Sequence, residues 1–193
     1  MTDLEKMIQK NPVLEKMIKK FHLLPELETN KNNNQTQKTE TMAKRKEKQS
    51  SLFLQVVAGK LAKYVEQPNE YSETVKSKDG TIRNYEMFES VSGKLKQVYV
   101  YDKELSDDRS FEMLAIKVLN NDGEFEVITV PFKSNYAKSF IARLGEINLD
   151  KDVEIKAFKI EDKEKSKAKG KQIFNEMLLP YQDGKTIENP YKK

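Results

Sequence analysis

Cysteine and tryptophan are both missing from this chain, and histidine occurs once, as His22. Without cysteine there can be no disulfide framework, no thiolate metal site and no cysteine nucleophile. Glycine is scarce too, and no glycine-rich phosphate cradle or nucleophile elbow occurs. The acidic words Asp107-Asp108 and Asn121-Asp122-Gly123 lack the further spaced oxygen ligands of a calcium loop and read as turns. Glu161-Asp162 reads as a solvated strand end, and His22 as a helix-end residue. The expectation is a non-enzymatic protein with no catalytic residue, no metal and no cofactor. No apolar run approaches the roughly 18 residues of a membrane span, and the first residues carry too much charge for a signal peptide. A cytoplasmic protein without membrane contact is expected.

Charge is what the chain has in quantity. Charged residues make up 34% against 37% hydrophobic, and the net charge is +4, too mild a basicity to establish a nucleic-acid partner by itself. The distribution is uneven. Residues 1–28 carry Leu4, Met7 and Ile8, then Leu14, Met17, Ile18 and Phe21, at helical spacing, with Asn11-Pro12 as a helix start between them. The word Leu-Glu-Lys-Met-Ile stands at 4–8 and again at 14–18, a spacing that matches neither a heptad nor a solenoid. Two readings stand open for this helical module: a helix pair folded on the main domain, or a detachable helix whose stripe (Leu14, Met17, Ile18, Phe21) docks in a partner's groove. Residues 29–50 have almost nothing to bury and read as a flexible polar linker, closing on the cationic run Lys44-Arg-Lys-Glu-Lys48. Residues 51–193 form the third unit.

In that unit the pattern turns to strands. Leu52 to Val57 is a buried-type run stopped at Gly59. Tyr71–Val75 and Ile82–Phe88 flank Lys78-Asp79-Gly80, a hairpin turn. A bend at Ser92-Gly93 leads into Lys94–Tyr101, followed by Phe111–Leu119 and Phe125–Phe132 across Asn121-Asp122-Gly123. Ser134 caps a helix to about Leu144, and Val153–Ile160 with Gln172–Leu179 make a last hairpin. Strand-strand-strand-helix-strand-strand is the layout of an OB-fold, so the expected architecture is mainly β. It comprises a five-stranded Greek-key barrel with an extra N-terminal hairpin, one helix between strands 3 and 4, and the appended helical module.

Period-two alternation separates the faces. Leu114, Ile116 and Val118, with Ile128, Val130 and Phe132, are assigned to the core. The opposite face then carries Phe111, Lys117 and Phe125, extended by Tyr99 and Tyr101. The last hairpin is expected to hold the loop Lys163-Glu-Lys-Ser-Lys-Ala-Lys-Gly-Lys171, with five lysines against one glutamate. Rings offer any base a stacking surface, and Lys163, Lys165, Lys167, Lys169 and Lys171 neutralise phosphates. The expected ligand is a single-stranded nucleic acid; stacking and phosphate contacts leave DNA and RNA both open.

Three stretches resemble phage-encoded single-stranded-DNA-binding OB-fold proteins. They are Tyr85-Glu-Met-Phe-Glu-Ser-Val-Ser-Gly-Lys94, Val130 through Leu144, and Ile147-Asn-Leu-Asp150 with Val153-Glu-Ile-Lys-Ala-Phe158. The resemblance covers roughly residues 52 to 185. It implies a protein that coats and protects transient single strands during phage DNA replication or recombination, in the host cytoplasm, without sequence preference. Many such proteins recruit replication enzymes through an acidic tail, whereas Ile187-Glu-Asn-Pro-Tyr-Lys-Lys193 is basic. The expected contact with a replication protein therefore moves to the N-terminal helices. The competing reading is a structural or adaptor protein, a virion component or replisome scaffold, acting through those helices.

Overall fold

A computed structural model describes residues 51–77, 80–104 and 110–191. The helical module with Leu14, Met17, Ile18 and Phe21, the polar linker and Asp107-Asp108 lie outside the described residues. Among the described residues, ten strands and two helices follow one another. The strands are β1 (Ser51–Val57), β2 (Lys60–Val65), β3 (Ser72–Lys76), β4 (Ile82–Phe88), β5 (Val91–Glu104), β6 (Ser110–Leu119), β7 (Phe125–Pro131), β8 (Val153–Glu161), β9 (Phe174–Gln182) and β10 (Lys185–Thr186). The helices are α1 (Asn135–Leu144), between β7 and β8, and α2 (Lys163–Lys169), between β8 and β9.

These strands do not close into the expected five-stranded barrel. They form one ten-stranded sheet, ordered β10-β9-β8-β5-β6-β7-β1-β2-β4-β3 and curled into a half-barrel. Two edge pairings keep the barrel open. Closing the five strands β5 to β9 would need the free edges of β7 and β9, and both are occupied. β1 lies along β7 in parallel, with Phe53 opposite Val127 and Gln55 opposite Thr129, while β10 lies along β9. The β1–β2 turn then presses on β8, where a Cβ on Gly59 would stand 2.5 Å from Cβ of Lys159.

One long strand serves two neighbours. β5 pairs with β8 over Val91–Gly93 and with β6 from Lys94 onward. Gly93 makes the switch possible, because its φ of 150° and the backbone of Leu119 against it leave no room for a side chain. A bulge between Leu95 and Gln97 then sharpens the twist. At the far edge β2 and β3 both run antiparallel to β4, so residues 66–71 cross over β4 between them. Asn69 pins that crossing by donating from Nδ2 to Glu86 at 2.8 Å.

The core gathers on one face of the sheet. Leu54, Leu61, Val98, Leu114, Ile116, Val118, Ile128 and Val130 are each 1% exposed or less. Tyr136, Ala137, Phe140 and Leu144 of α1 pack into the same cluster. The Ser134 side chain caps α1 by accepting from Ala137 N–H at 3.2 Å. Ser139 Oγ accepts from Leu178 N–H at 2.8 Å, and Arg143 Nε donates to the Ile187 carbonyl at 2.9 Å, so polar bonds fix the helix to β9 and its extension. Burial, with a smaller contribution from the nearby Glu176 charge, pushes the Tyr136 phenol up to about 12. Among the described residues, no helix is long and apolar enough to cross a membrane.

Candidate nucleic-acid interface

Register across β5, β6 and β7 decides which side chains share the face away from the core. Tyr99 stands opposite Ala115, Tyr101 opposite Met113, Gln97 opposite Lys117 and Lys103 opposite Phe111. On the next strand Lys117 stands opposite Val127, and Leu119 opposite Phe125. Tyr99, Tyr101, Phe111, Lys117 and Phe125 therefore occupy one face of three adjacent strands, with Met113, Ala115 and Val127 as a buried apolar floor between them.

The rings meet in two groups. Tyr99 and Tyr101 lie 6.0 Å apart, centroid to centroid, tilted by 41°. Tyr99 also leans on the edge of the core. Burial, and then the neighbouring Tyr99, pushes the Tyr101 phenol above its ordinary range. The second group is Phe125 with Lys117, whose ammonium is 3.8 Å from the ring centroid. Phe111, 37% exposed, completes the face beside Lys103.

The lysine segment takes a different form from the one expected. It is helix rather than loop: α2 covers Lys163–Lys169. Lysine and alanine are good helix formers, and both ends are capped. Asp162 accepts from Lys165 N–H at 3.0 Å, Glu164 lies in the first turn, and Gly170 closes the helix in the left-handed conformation at φ 61°. Ser166 Oγ accepts from Ile173 N–H at 2.8 Å and ties the helix to its own hairpin. Lys165 is engaged with Asp162 at 2.8 Å. Among the described residues, Lys163, Lys167, Lys169 and Lys171 have no carboxylate within ion-pair distance, and all are exposed.

The structure thus gathers the rings on one sheet face and the lysines on another element. The β8–β9 hairpin joins β5 only through Val91–Gly93, and no side-chain bond links α2 to the ring face among the described residues. A separate cleft of about 460 Å³ lies between the β2–β4 region and β8, lined by Lys60, Tyr71, Phe88, Lys156 and Phe158. Its lysines are already spoken for: Lys60 pairs with Glu73 at 3.2 Å and Lys156 with Glu154 at 3.1 Å.

Sequence reasoning missed Phe53. Leu52–Val57 looked like a uniformly buried run, yet Phe53 is 63% exposed while Leu54 is 1% exposed. The parallel pairing with β7 puts Phe53 opposite Val127, on the side that carries Phe125 and Lys117. Alternation of Leu52, Leu54 and Val56 against Phe53 and Gln55 was the available signal. No family model, no curated protein and no solved structure matches this chain.

Proposed function

We propose that this protein binds single-stranded DNA with little sequence preference, stacking bases on the β5–β7 face and contacting phosphates through lysines. The observation that supports it is the placement of Tyr99, Tyr101, Phe111 and Phe125 on one sheet face opposite the core, with Lys117 directly over a ring. Every base has a π-face, so a row of rings binds without reading sequence, at roughly 1–3 kcal/mol per stacked base. The α2 lysines that are unpaired among the described residues, together with Lys171, add a phosphate term that falls with salt. Such a coat suits the transient single strands of DNA replication or recombination, phage DNA included.

The test is a fluorescence-anisotropy titration with single-stranded DNA, duplex DNA and RNA of equal length at two salt concentrations. The reading expects single strands to bind well above duplex, with little dependence on base order and a steep loss in salt. Equal binding to duplex, or no binding at low salt, removes it.

A further inference from the structure

The ring face does not stop at β7. β1 follows β7 with Phe53 opposite Val127, and β2 follows β1 with Gln55 opposite Ala62. Period two then puts Phe53 and Gln55 of β1 on the same side as Ala62 and Tyr64 of β2. The next strand continues it: Tyr64 stands opposite Tyr85 and Ala62 opposite Met87. Tyr64 is 52% exposed and meets the buried Tyr85 edge-on, with centroids 6.0 Å apart. Six adjacent strands therefore carry aromatic side chains on one side: Tyr99 and Tyr101, Phe111, Phe125, Phe53, Tyr64, Tyr85.

Charge is sorted the same way. Lys60, Arg83, Lys103 and Lys117 stand on this side of the strands. No Asp or Glu stands among the residues of β6, β7, β1, β2 and β4 on this side, or from Gln97 to Lys103 on β5. The first carboxylate is Glu73 on the outermost strand β3, opposite Tyr85, and Lys60 holds it at 3.2 Å. The acids of these strands, such as Glu86, Glu112 and Glu126, alternate to the other side. An apolar protein surface would be matched by rings without this sorting; six ring-bearing strands that present no carboxylate on this side suit a polyanion with flat bases.

We infer that the single-strand track runs across the strands, from Tyr99 and Tyr101 through Phe125 to Phe53 and Tyr64, with Tyr85 positioning the Tyr64 ring. This rests on the single-strand reading above and extends its site over β1, β2 and β4. Strand spacing sets the length. Four spacings from β5 to β2 span about 19 Å, which a stacked single strand at about 3.4 Å per nucleotide covers with about six nucleotides. The β5–β7 portion alone spans about 10 Å, or about three nucleotides.

The experiment is an anisotropy titration of the full chain with oligothymidylates of increasing length, about three to twelve nucleotides, repeated with oligouridylates. For the unaltered protein, affinity should climb steeply up to about six nucleotides and only slowly thereafter. The double variant Phe53→Ala, Tyr64→Ala should bind the shortest oligomers as before. It should lose at least about tenfold on the longest, its steep rise ending near three to four nucleotides. Phe53→Leu with Tyr64→Leu, which keeps apolar volume and removes the rings, should behave the same, and unchanged thermal melting shows that both variants fold. An unaltered length dependence in both variants, with binding still lost in Phe125→Ala, overturns the extended track and leaves the single-strand reading standing. Absence of binding by the unaltered protein at every length overturns both.

Discussion

Lys117 holds its ammonium group 3.8 Å from the centroid of the Phe125 ring. Neighbouring strands make the pair: Lys117 is opposite Val127, and Phe125 is two residues before Val127. The arrangement puts a positive charge beside a half-buried ring, on the face away from the core. Two contributions to binding can then be separated by substitution. Phe125→Ala should weaken single-strand affinity for every sequence by about 1–3 kcal/mol. Lys117→Gln should instead flatten the dependence of log affinity on log salt by about 0.7. Titrations across a salt series measure both, and identical curves for all three proteins would remove this pair from the site.

Three lysines of the second helix and Lys171, unpaired among the described residues, permit a cleaner electrostatic test. Replacing Lys163, Lys167, Lys169 and Lys171 together with Gln should lower the salt slope by up to about 2.8, with no change in preference among sequences. These side chains are exposed, so melting should not change. An unaltered salt slope would show that the helix stays clear of the ligand.

Asp162 links that helix to pH. The Lys165 ammonium, and then the Lys165 backbone N–H, hold its carboxyl below the ordinary aspartate range. A depressed folded-state pKa contributes stability that is fully present above the unfolded aspartate value and disappears as pH falls through the lower folded value. Protection of the Lys163–Lys169 amides, taken relative to their intrinsic exchange rates, should therefore fall in acid, only below the ordinary aspartate range. Asp162→Asn should abolish that pH step. A step that survives in the variant would place its origin in another carboxylate.

Gly59 and Gly123 distinguish close packing from backbone conformation. Both have positive φ, 87° and 80°. A Cβ on Gly59 would meet Lys159, whereas a Cβ on Gly123 has nothing within 4 Å. Gly123→Ala should cost about 1 kcal/mol of conformational strain, and Gly59→Ala clearly more, because the β1–β2 turn must lift from β8. Chemical denaturation midpoints compare them; equal costs would mean the turn does not bear on β8.

Much of the local structure was legible. Alternation located β6, β7 and β8, Ser134 announced the first helix, and Asn121-Asp122-Gly123 announced its turn. The same alternation put Leu114, Ile116 and Val118 in the core and their neighbours Phe111 and Lys117 outside it. The lysine helix was also written locally, in Asp162 before it and Gly170 after it, but the high charge of the segment disguised it as a loop. Short strands with little contrast were harder. β2 went unseen because Lys60-Leu-Ala-Lys-Tyr-Val65 carries only a brief apolar signal, and its partner β4 lies some twenty residues on.

By itself the amino-acid sequence determined which residues alternate, which turns break them, and which rings end up on the same side of a given strand. Steric and solvation preferences acting over a few residues are enough for that. Only the tertiary structure decided which strands become neighbours. Parallel pairing of Ser51–Gln55 with Phe125–Thr129 joins segments far apart in the chain, and no local periodicity encodes such a contact. That single pairing occupies the β7 edge, keeps the sheet open, and carries the ring-bearing face on to Phe53 and Tyr64.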